Sequence, residues 1–242
     1  MTIDTAANTQ ELSQKTTAEL KQQLLQLTDG RDLQPLKQKV EYYQEQLEPI
    51  VTELSRRNPF PQPEDQVPLI LGVWTPVWST IPFQDVLPGR ISEQSYQIFH
   101  DDGLYANMAR YAPGSKLKGW LQKLASVLLA FDLMIVQKYG VKDGQWLIEN
   151  IGIKQALRWQ GVPLTIAKAD NWFTKAAQRL AADTSTKVEL KNLNNSTAKK
   201  LKTAFRATPQ FEHLYIDNDF RIVKTRREAK QRPSYTIAIR RK

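Results

Sequence analysis

The sequence contains no cysteine and only two histidines. Without cysteine the chain has no disulfide framework and no thiolate to act as a nucleophile or a metal ligand. With only His100 and His213, a metal centre or a catalytic triad built on histidine has little material. The chain also lacks a Gly-rich loop of the kind that holds phosphate groups. These absences favour a protein that is not an enzyme and that carries no metal or other cofactor.

Long apolar runs are also missing. A membrane-spanning helix needs about 20 consecutive apolar residues, and the longest candidate, residues 127–136, is interrupted by Asp132. The first residues show no basic segment followed by an apolar core, so no secretory signal is predicted. We therefore expect a soluble or peripheral protein.

Positive charge is the main excess in the composition. The 34 lysine and arginine residues outnumber the 25 acidic residues, which gives a formal net charge of +9. Such an excess favours an anionic partner, either a membrane surface, a nucleic acid or an acidic protein. The last 22 residues hold one acidic residue and nine basic ones, namely Arg221, Lys224, Arg226, Arg227, Lys230, Arg232, Arg240, Arg241 and Lys242.

This basic cluster predicts a membrane contact through Arg226, Arg227 and Lys230, which fall in a predicted loop between two strands. Lysine and arginine near an anionic bilayer are attracted to its headgroups. The same residues would suit phosphate groups of nucleic acid. Nucleic acid is the weaker interpretation, because no known binding module or repeated aromatic platform accompanies the charge.

Residues 72–80 predict the first strand of a β-domain. A period of two puts Trp74 and Trp78 on the same face, which we expect to point into the domain interior. Gly72 fits a strand start where a bulky side chain comes close. Pro76 cannot donate a ladder hydrogen bond, so it indicates an edge, a bulge or a local break.

Two amphipathic helices are predicted before this strand. The first begins with a capping box at Thr16, and the second runs from about residue 33 to 56 with a kink at Pro49. They predict an N-terminal α-helical hairpin. We expect its apolar stripes to pack on each other and on the β-domain rather than to dock a partner or a membrane.

Four prolines in residues 58–68 predict a stiff, extended linker. This composition divides the chain into an N-terminal helical segment, 1–57, the proline-rich linker, 58–68, and a β-domain, 69–242.

Turn signals divide the β-domain into short strands. Hairpin turns are predicted at residues 100–103, 142–144 and 217–219. The segment 116–138 is ambiguous between helix and strand. Helical insertions are predicted at 171–182 and 196–206, capped by Asp170 and Ser196. Strands at both ends without regular βαβ alternation predict an α+β fold containing a closed or nearly closed antiparallel barrel.

Two motifs carry a resemblance to the PAP/fibrillin family, the plastid-lipid-associated proteins of chloroplasts and cyanobacteria. Residues 71–80, LGVWTPVWST, resemble the opening G-x-W strand of that family, with Trp78 where the aromatic is usually tyrosine. Residues 214–222, LYIDNDFRI, are similar to its Y-L-D-x-x-L-R-I signature. The final strand departs from the family pattern, because it lacks the expected R-G-x-x-G-x-x-F-V ending with its two glycines. The similarity covers about residues 69–242.

The resemblance implies a lipocalin-like antiparallel β-barrel in a cyanobacterial-type member. It also implies a peripheral location on the cytoplasmic side of the thylakoid membrane or on lipid bodies, or in a plastid for a processed form. A hydrophobic small molecule or lipid would be the ligand, with a role in lipid storage, photoprotection or stress response.

The candidate ligand-binding residues are Trp74, Trp78, Tyr215 and Arg221. Trp74 would stack on a ligand or, as we favour, close one end of the barrel. Arg221 would meet an acyl carboxylate or, as we favour, lie across an indole as a cation–π contact. Asp217 and Asp219 predict a turn that satisfies its own backbone rather than an acid pair or a metal loop.

The first hypothesis is therefore a non-enzymatic protein that binds a lipid or another hydrophobic small molecule and associates with a membrane. The alternative is a scaffold protein whose barrel is filled by its own side chains and whose N-terminal helices dock a protein partner. A basic protein associated with nucleic acid is the third hypothesis.

Overall fold

A computed structural model describes residues 10–82, 89–112, 128–182, 210–226 and 231–241. The protein is a mixed α+β fold, as predicted. Its strands are β1 (Gly72–Ser79), β2 (Arg90–Phe99), β3 (Leu104–Tyr111), β4 (Leu129–Lys142), β5 (Gln145–Trp159), β6 (Gln210–Ile216), β7 (Phe220–Arg226) and β8 (Ser234–Arg241). Its helices include α1 (Thr17–Thr28), α2 (Leu36–Tyr42), α3 (Glu48–Arg56), α4 (Pro63–Ile70) and α5 (Ile166–Ala182), and a π-helical turn, Tyr43–Leu47, joins α2 to α3.

The eight strands form one antiparallel sheet that closes in a ring, because β8 returns to pair with β1. Two joints of the ring are short in the described residues. β1 pairs with β2 from Gly72 to Trp74, and β5 pairs with β6 at Trp146. The predicted hairpin turns join β2 to β3, β4 to β5 and β6 to β7, so these predictions are confirmed.

The loop between α1 and α2 fills the space where β1 and β2 part. One carboxylate oxygen of Asp32 accepts a hydrogen bond of 2.9 Å from the backbone N–H of Ser79 on β1. The other accepts a bond of 2.6 Å from Nη2 of Arg90 on β2. Lys39 Nζ donates to the Asp32 backbone carbonyl at 2.9 Å. Since Asp32, Lys39 and Arg90 are all buried, this contact fastens the helical segment to the sheet.

The N-terminal helices cover the outer face of β1, β6, β7 and β8. Leucines of α1 and α3 share one buried cluster with Tyr43 and with the outer side chains of these strands, which include Trp78 and Ile237. The apolar stripes of the helices therefore pack against the sheet, as expected. Where the sequence predicts a kink at Pro49, a π-helical turn precedes the proline, since proline cannot donate a bond to the carbonyl four residues earlier.

A bulge in β1 places its two tryptophans on opposite faces of the sheet. Pro76 pairs with Ala238, but Trp78 pairs with the adjacent residue of β8, Ile237, so that Val77 is the extra residue. An extra residue reverses the alternation of side chains. The prediction that Trp78 shares the interior face of Trp74 is therefore wrong, and Trp78 instead packs near Tyr43, 6.2 Å between ring centroids.

The segment predicted as an extended linker contains a helix. Pro63 stands in the first turn of α4, where the missing N–H costs nothing, and Pro68 lies inside the helix. Ile70 and Val67 of α4 pack into a cluster with interior residues of the ring, including Trp74 and Trp146. Residues 63–70 thus close one end of the ring. The division of the chain that makes residues 69–242 a separate domain remains a prediction.

Helix α5 covers the outer face of β2, β3 and β4. Phe173 and neighbouring alanines of α5 pack against residues such as Ile98 and Met134. The helix begins earlier than predicted, because Thr165 Oγ1 accepts a bond of 3.4 Å from the Lys168 N–H. Asp170 is therefore not the cap, and its carboxylate contacts His100 Nε2 at 2.7 Å. The helix predicted at 196–206 and the first part of 116–138 lie outside the described residues.

The turn between β6 and β7 gives a testable prediction about acid stability. Asp217 accepts bonds from the backbone N–H groups of Asp219 and Phe220, at 3.0 and 2.9 Å, and a bond of 2.8 Å from Lys21 Nζ on α1. Burial alone would raise the pKa of Asp217, but the bonds from Lys21 and Tyr215 dominate and lower it to about 2.

Because this pKa lies below its usual value, the stabilisation is complete above about pH 4 and is lost as the pH falls toward 2. We expect the melting temperature of the parent to fall more steeply over this range than that of Asp217→Asn. Thermal melts monitored by circular dichroism from pH 6 to 2 would test this. Parallel pH profiles for the two proteins would contradict it.

Candidate ligand cavity

The ring encloses a cavity of 230 Å³. Its apolar wall includes Pro76 of β1, Leu133 and Ile135 of β4, Ile148 of β5 and Val223 of β7. The cavity also touches Gln231 and Arg232, which are exposed, so that it reaches the protein surface where β8 begins. We call this end the mouth. Helix α4 closes the opposite end of the ring.

The polar part of the wall is a row of carboxamides from β2, β3, β4 and β5. Gln97 Nε2 donates to Asn107 Oδ1 at 2.8 Å, and Asn107 Nδ2 donates to Gln137 Oε1 at 2.6 Å. Gln137 Nε2 in turn donates to Asn150 Oδ1 at 2.6 Å. Tyr105 joins the row, because its hydroxyl accepts a bond of 3.1 Å from Asn107. We call these four amides the amide row.

Arg221 of β7 donates to the first residue of the amide row. Its Nη2 donates to Gln97 Oε1, and its guanidinium carbon lies 4.8 Å from the Trp74 ring centroid and 4.9 Å from that of Phe99. The side chain is 0% exposed. Burial, with a smaller contribution from nearby Arg240, lowers the pKa of Arg221 to about 9, so the group stays charged at neutral pH.

His213 is the other neighbour of Arg221. Its Nδ1 donates to Gln66 Oε1 at 2.9 Å, and its Nε2 accepts from Arg221 Nη1 at 3.5 Å. Burial, followed by the charge of Arg221, holds the pKa of His213 well below its usual value. A neutral histidine with one donor and one acceptor nitrogen fits both contacts, so it provides no negative charge for Arg221.

Trp74 forms the floor below the amide row. Its Nε1 donates to the Ile70 carbonyl at 2.7 Å, at the end of α4. Arg240 lies on the Trp74 ring, 4.3 Å from its centroid, and donates to the carbonyls of Leu69 and Leu71. The predicted proximity of Gly72 to a bulky group is also observed, since an added Cβ would lie 3.2 Å from Arg240 Nη1. These contacts match the structural roles favoured for Trp74 and Arg221.

The predicted ligand residues thus occupy two different places. Trp74 and Arg221 lie inside the ring below the cavity, but neither lines it. Trp78 and Tyr215 lie on the outer face under the N-terminal helices, and the Tyr215 hydroxyl donates to Asp217 at 2.6 Å. They are therefore remote from the interior, because the bulge in β1 and the register of β6 turn them outward.

Sequence reasoning missed the amide row. The one available signal was the period of two in β3, which placed Asn107 on the same face as Tyr105, Ala109 and Tyr111. All four residues line the cavity. Gln137 fell in a segment that was ambiguous between helix and strand, and no local pattern related it to the other amides.

The predicted membrane residues are described only in part. Arg226 ends β7, whereas Arg227 and Lys230 lie outside the described residues. A different surface feature stands at the end of the β4–β5 ribbon, where β3 has already ended opposite Phe131. Five apolar side chains are exposed there, by 44 to 62%: Leu128, Leu129, Leu157, Trp159 and Val162. We call this surface the ribbon tip.

A second hollow, of 470 Å³, lies beside α4 and the β5–β6 joint. Its wall is mainly polar and includes Glu212 and Lys224, which form an ion pair at 2.9 Å. It lacks the apolar wall that a hydrophobic ligand needs.

Within the described ranges, no three histidine, aspartate or glutamate side chains are grouped to hold a metal ion. No described helix combines the length and hydrophobicity required to cross a membrane.

Compared with known proteins, the chain matches no family model and no curated protein. The resemblance to the PAP/fibrillin family therefore rests on the two motifs, and the site is interpreted from its own geometry.

The floor of the cavity gives a prediction about stability. We expect Trp74→Ala to lower the free energy of unfolding by about 3–5 kcal/mol, as for other buried tryptophans. Trp159→Ala is a matched control because Trp159 is 62% exposed, and we expect it to change stability by less than about 1 kcal/mol. Urea unfolding of both variants would measure this. Equal effects of the two substitutions would contradict the assigned position of Trp74.

Proposed function

We propose that the protein is a non-enzymatic binding protein for lipids or other hydrophobic small molecules. The observation that carries the proposal is the cavity inside the closed sheet, which combines an apolar wall with hydrogen-bonding groups at one end. Ligand pockets in proteins have this character, mostly apolar with a few placed polar groups. In this proposal the ring is a lipocalin-like barrel preceded by an α-helical hairpin, as the family resemblance implies.

The cavity is smaller than the pockets of roughly 300–1,000 Å³ that hold a whole drug-sized ligand. At 230 Å³ it would accept a ring or part of an acyl chain, with the remainder leaving through the mouth at Arg232. Cavities of this kind do bind apolar molecules, since an engineered apolar cavity of about 150 Å³ binds benzene.

The packing of the helices counts against the scaffold alternative. Docking a partner through the N-terminal helices requires a free apolar stripe, but Leu20, Leu24 and Leu54 of these helices are buried against the sheet. No specific observation favours nucleic acid. Binding of duplex DNA, with no binding of lipid, would support that alternative.

Ala109 offers a way to fill the cavity without touching the amide row. It lies on the inner face of β3 between Asn107 and Tyr111 and lines the cavity. We expect Ala109→Phe to abolish the binding of an apolar fluorescent probe such as 1-anilinonaphthalene-8-sulfonate, since the added ring occupies the space. A melting temperature within a few degrees of the parent would show that the variant is folded. Full probe binding by a folded variant would contradict the cavity as the binding site.

We also propose that an anionic membrane is the surface on which the protein works, and that the ribbon tip contacts it. Exposed tryptophan and leucine side chains favour the boundary between headgroups and acyl chains, and the net charge of +9 favours anionic lipids. Leu133 and Ile135 of the cavity wall lie on the same strand as Leu129, and alternate residues share one face. The apolar face thus continues from the cavity to the tip.

A matched pair of positions on β5 tests the contact. Leu157 and Leu147 are each 50% exposed, but Leu147 lies at the opposite end of the strand. We expect Leu157→Ser combined with Trp159→Ser to weaken co-sedimentation with phosphatidylglycerol vesicles at least about tenfold. Leu147→Ser should bind as the parent does. Equal binding of all three proteins would rule out the ribbon tip.

The same assay tests the basic loop predicted from the sequence. Replacing Arg226, Arg227 and Lys230 by glutamine should weaken binding by several kcal/mol at most, since each basic residue contributes about 1 kcal/mol. The loss should resemble the effect of added salt on the parent, because screening weakens the same attraction. Unchanged binding at low salt would exclude this loop. A thylakoid location follows from the family resemblance alone.

A further inference from the structure

The direction of the hydrogen bonds in the amide row is fixed at one end. A guanidinium has no acceptor, so Arg221 can only donate to Gln97, and the oxygen of Gln97 must face Arg221. The Gln97 nitrogen then faces Asn107, and each later amide repeats this orientation. Every oxygen of the row points back toward Arg221, and every nitrogen points away from it.

Aligned amides reinforce one another. In a chain of hydrogen bonds each member polarises the next, more strongly in the low dielectric of a protein interior. The N–H groups of the row are therefore stronger donors than isolated amides. The positive charge of Arg221 polarises the amides in turn, which makes the cavity wall more electropositive. Gln97, Asn107 and Asn150 keep partial exposure although they lie inside the ring, which places them against the open space of the cavity.

No negative charge compensates Arg221 among its described contacts, which are Gln97, His213, Trp74 and Phe99. Its Nε is buried and makes no hydrogen bond to the described residues. None of the described residues that line the cavity is aspartate or glutamate. A buried charge without a partner is costly, and proteins normally pair such a group. The interior is thus electropositive and rich in donors.

We propose that the ligand is an amphipathic carboxylate, such as a fatty acid, whose carboxylate oxygens accept hydrogen bonds from the amide row. Its apolar chain runs along Leu133 and Ile135 toward the mouth. Arg221 acts from behind the row, where it orients Gln97 and supplies the charge that favours an anion. This inference rests on the proposed function, because it specifies the ligand of the same cavity.

Three ligands with the same chain length separate the head-group requirement from hydrophobic binding: decanoate, 1-decanol and methyl decanoate. We expect decanoate to bind at least about tenfold more tightly than the other two by isothermal titration calorimetry at pH 8, since hydrogen bonds to a charged group exceed those to a neutral one by about this margin. Equal or tighter binding of decanol would overturn the carboxylate but not the proposed function. Binding of none of the three would contradict the proposed function itself.

Two variants test whether the row and Arg221 provide the preference. Gln137→Met keeps a similar volume but removes the donor, and Arg221→Gln removes the charge. In both we expect the advantage of decanoate over decanol to fall to less than about threefold, with decanol affinity unchanged. Because Arg221→Gln could fail to fold, Gln137→Met decides the outcome for the row. A full tenfold preference in folded Gln137→Met would overturn the assignment. Leu147→Ser is the control that should keep this preference, because the Leu147 side chain is half exposed and does not line the cavity.

Discussion

The interior of the closed sheet depends on Arg221. Its guanidinium lies near the rings of Trp74 and Phe99 and donates to Gln97. It also donates to His213, whose pKa is lowered first by burial and then by the charge of Arg221. Because a buried charge can be tolerated only where strong contacts surround it, these residues form a single unit. Arg221 thus contacts both the aromatic floor below the cavity and the amide row that forms its polar wall.

The two faces of β1 explain how the rest of the chain is arranged around this unit. The bulge at Val77 lets one strand send Trp74 inward to the cation and Trp78 outward to the helices. Asp32 then fills the space where β1 and β2 part, so that the helical segment completes the ring as well as covering it. Helix α4 closes the far end, which leaves the cavity a way to the surface near Arg232.

Local signals were sufficient for much of the fold. Turns rich in glycine and aspartate marked three hairpins, and alternation in β3 put Asn107 and Ala109 on one face, which in the structure lines the cavity. Predictions failed where a distant contact decided the outcome. The opposite orientation of Trp78 depends on the register between β1 and β8, and α4 forms in a proline-rich segment because Gln66, Val67 and Ile70 pack into the ring. The amide row joins four strands, so no short stretch of sequence contains its pattern.

Native mass spectrometry of the protein purified from its own source, followed by lipid extraction, tests the central claim most directly. We expect a fraction of the protein to carry one bound molecule of defined mass, and we expect the extract to identify it as an apolar molecule with a carboxylate. A protein that is consistently free of any bound small molecule, and that instead co-purifies in fixed stoichiometry with a protein partner, would contradict the binding function and support the scaffold alternative.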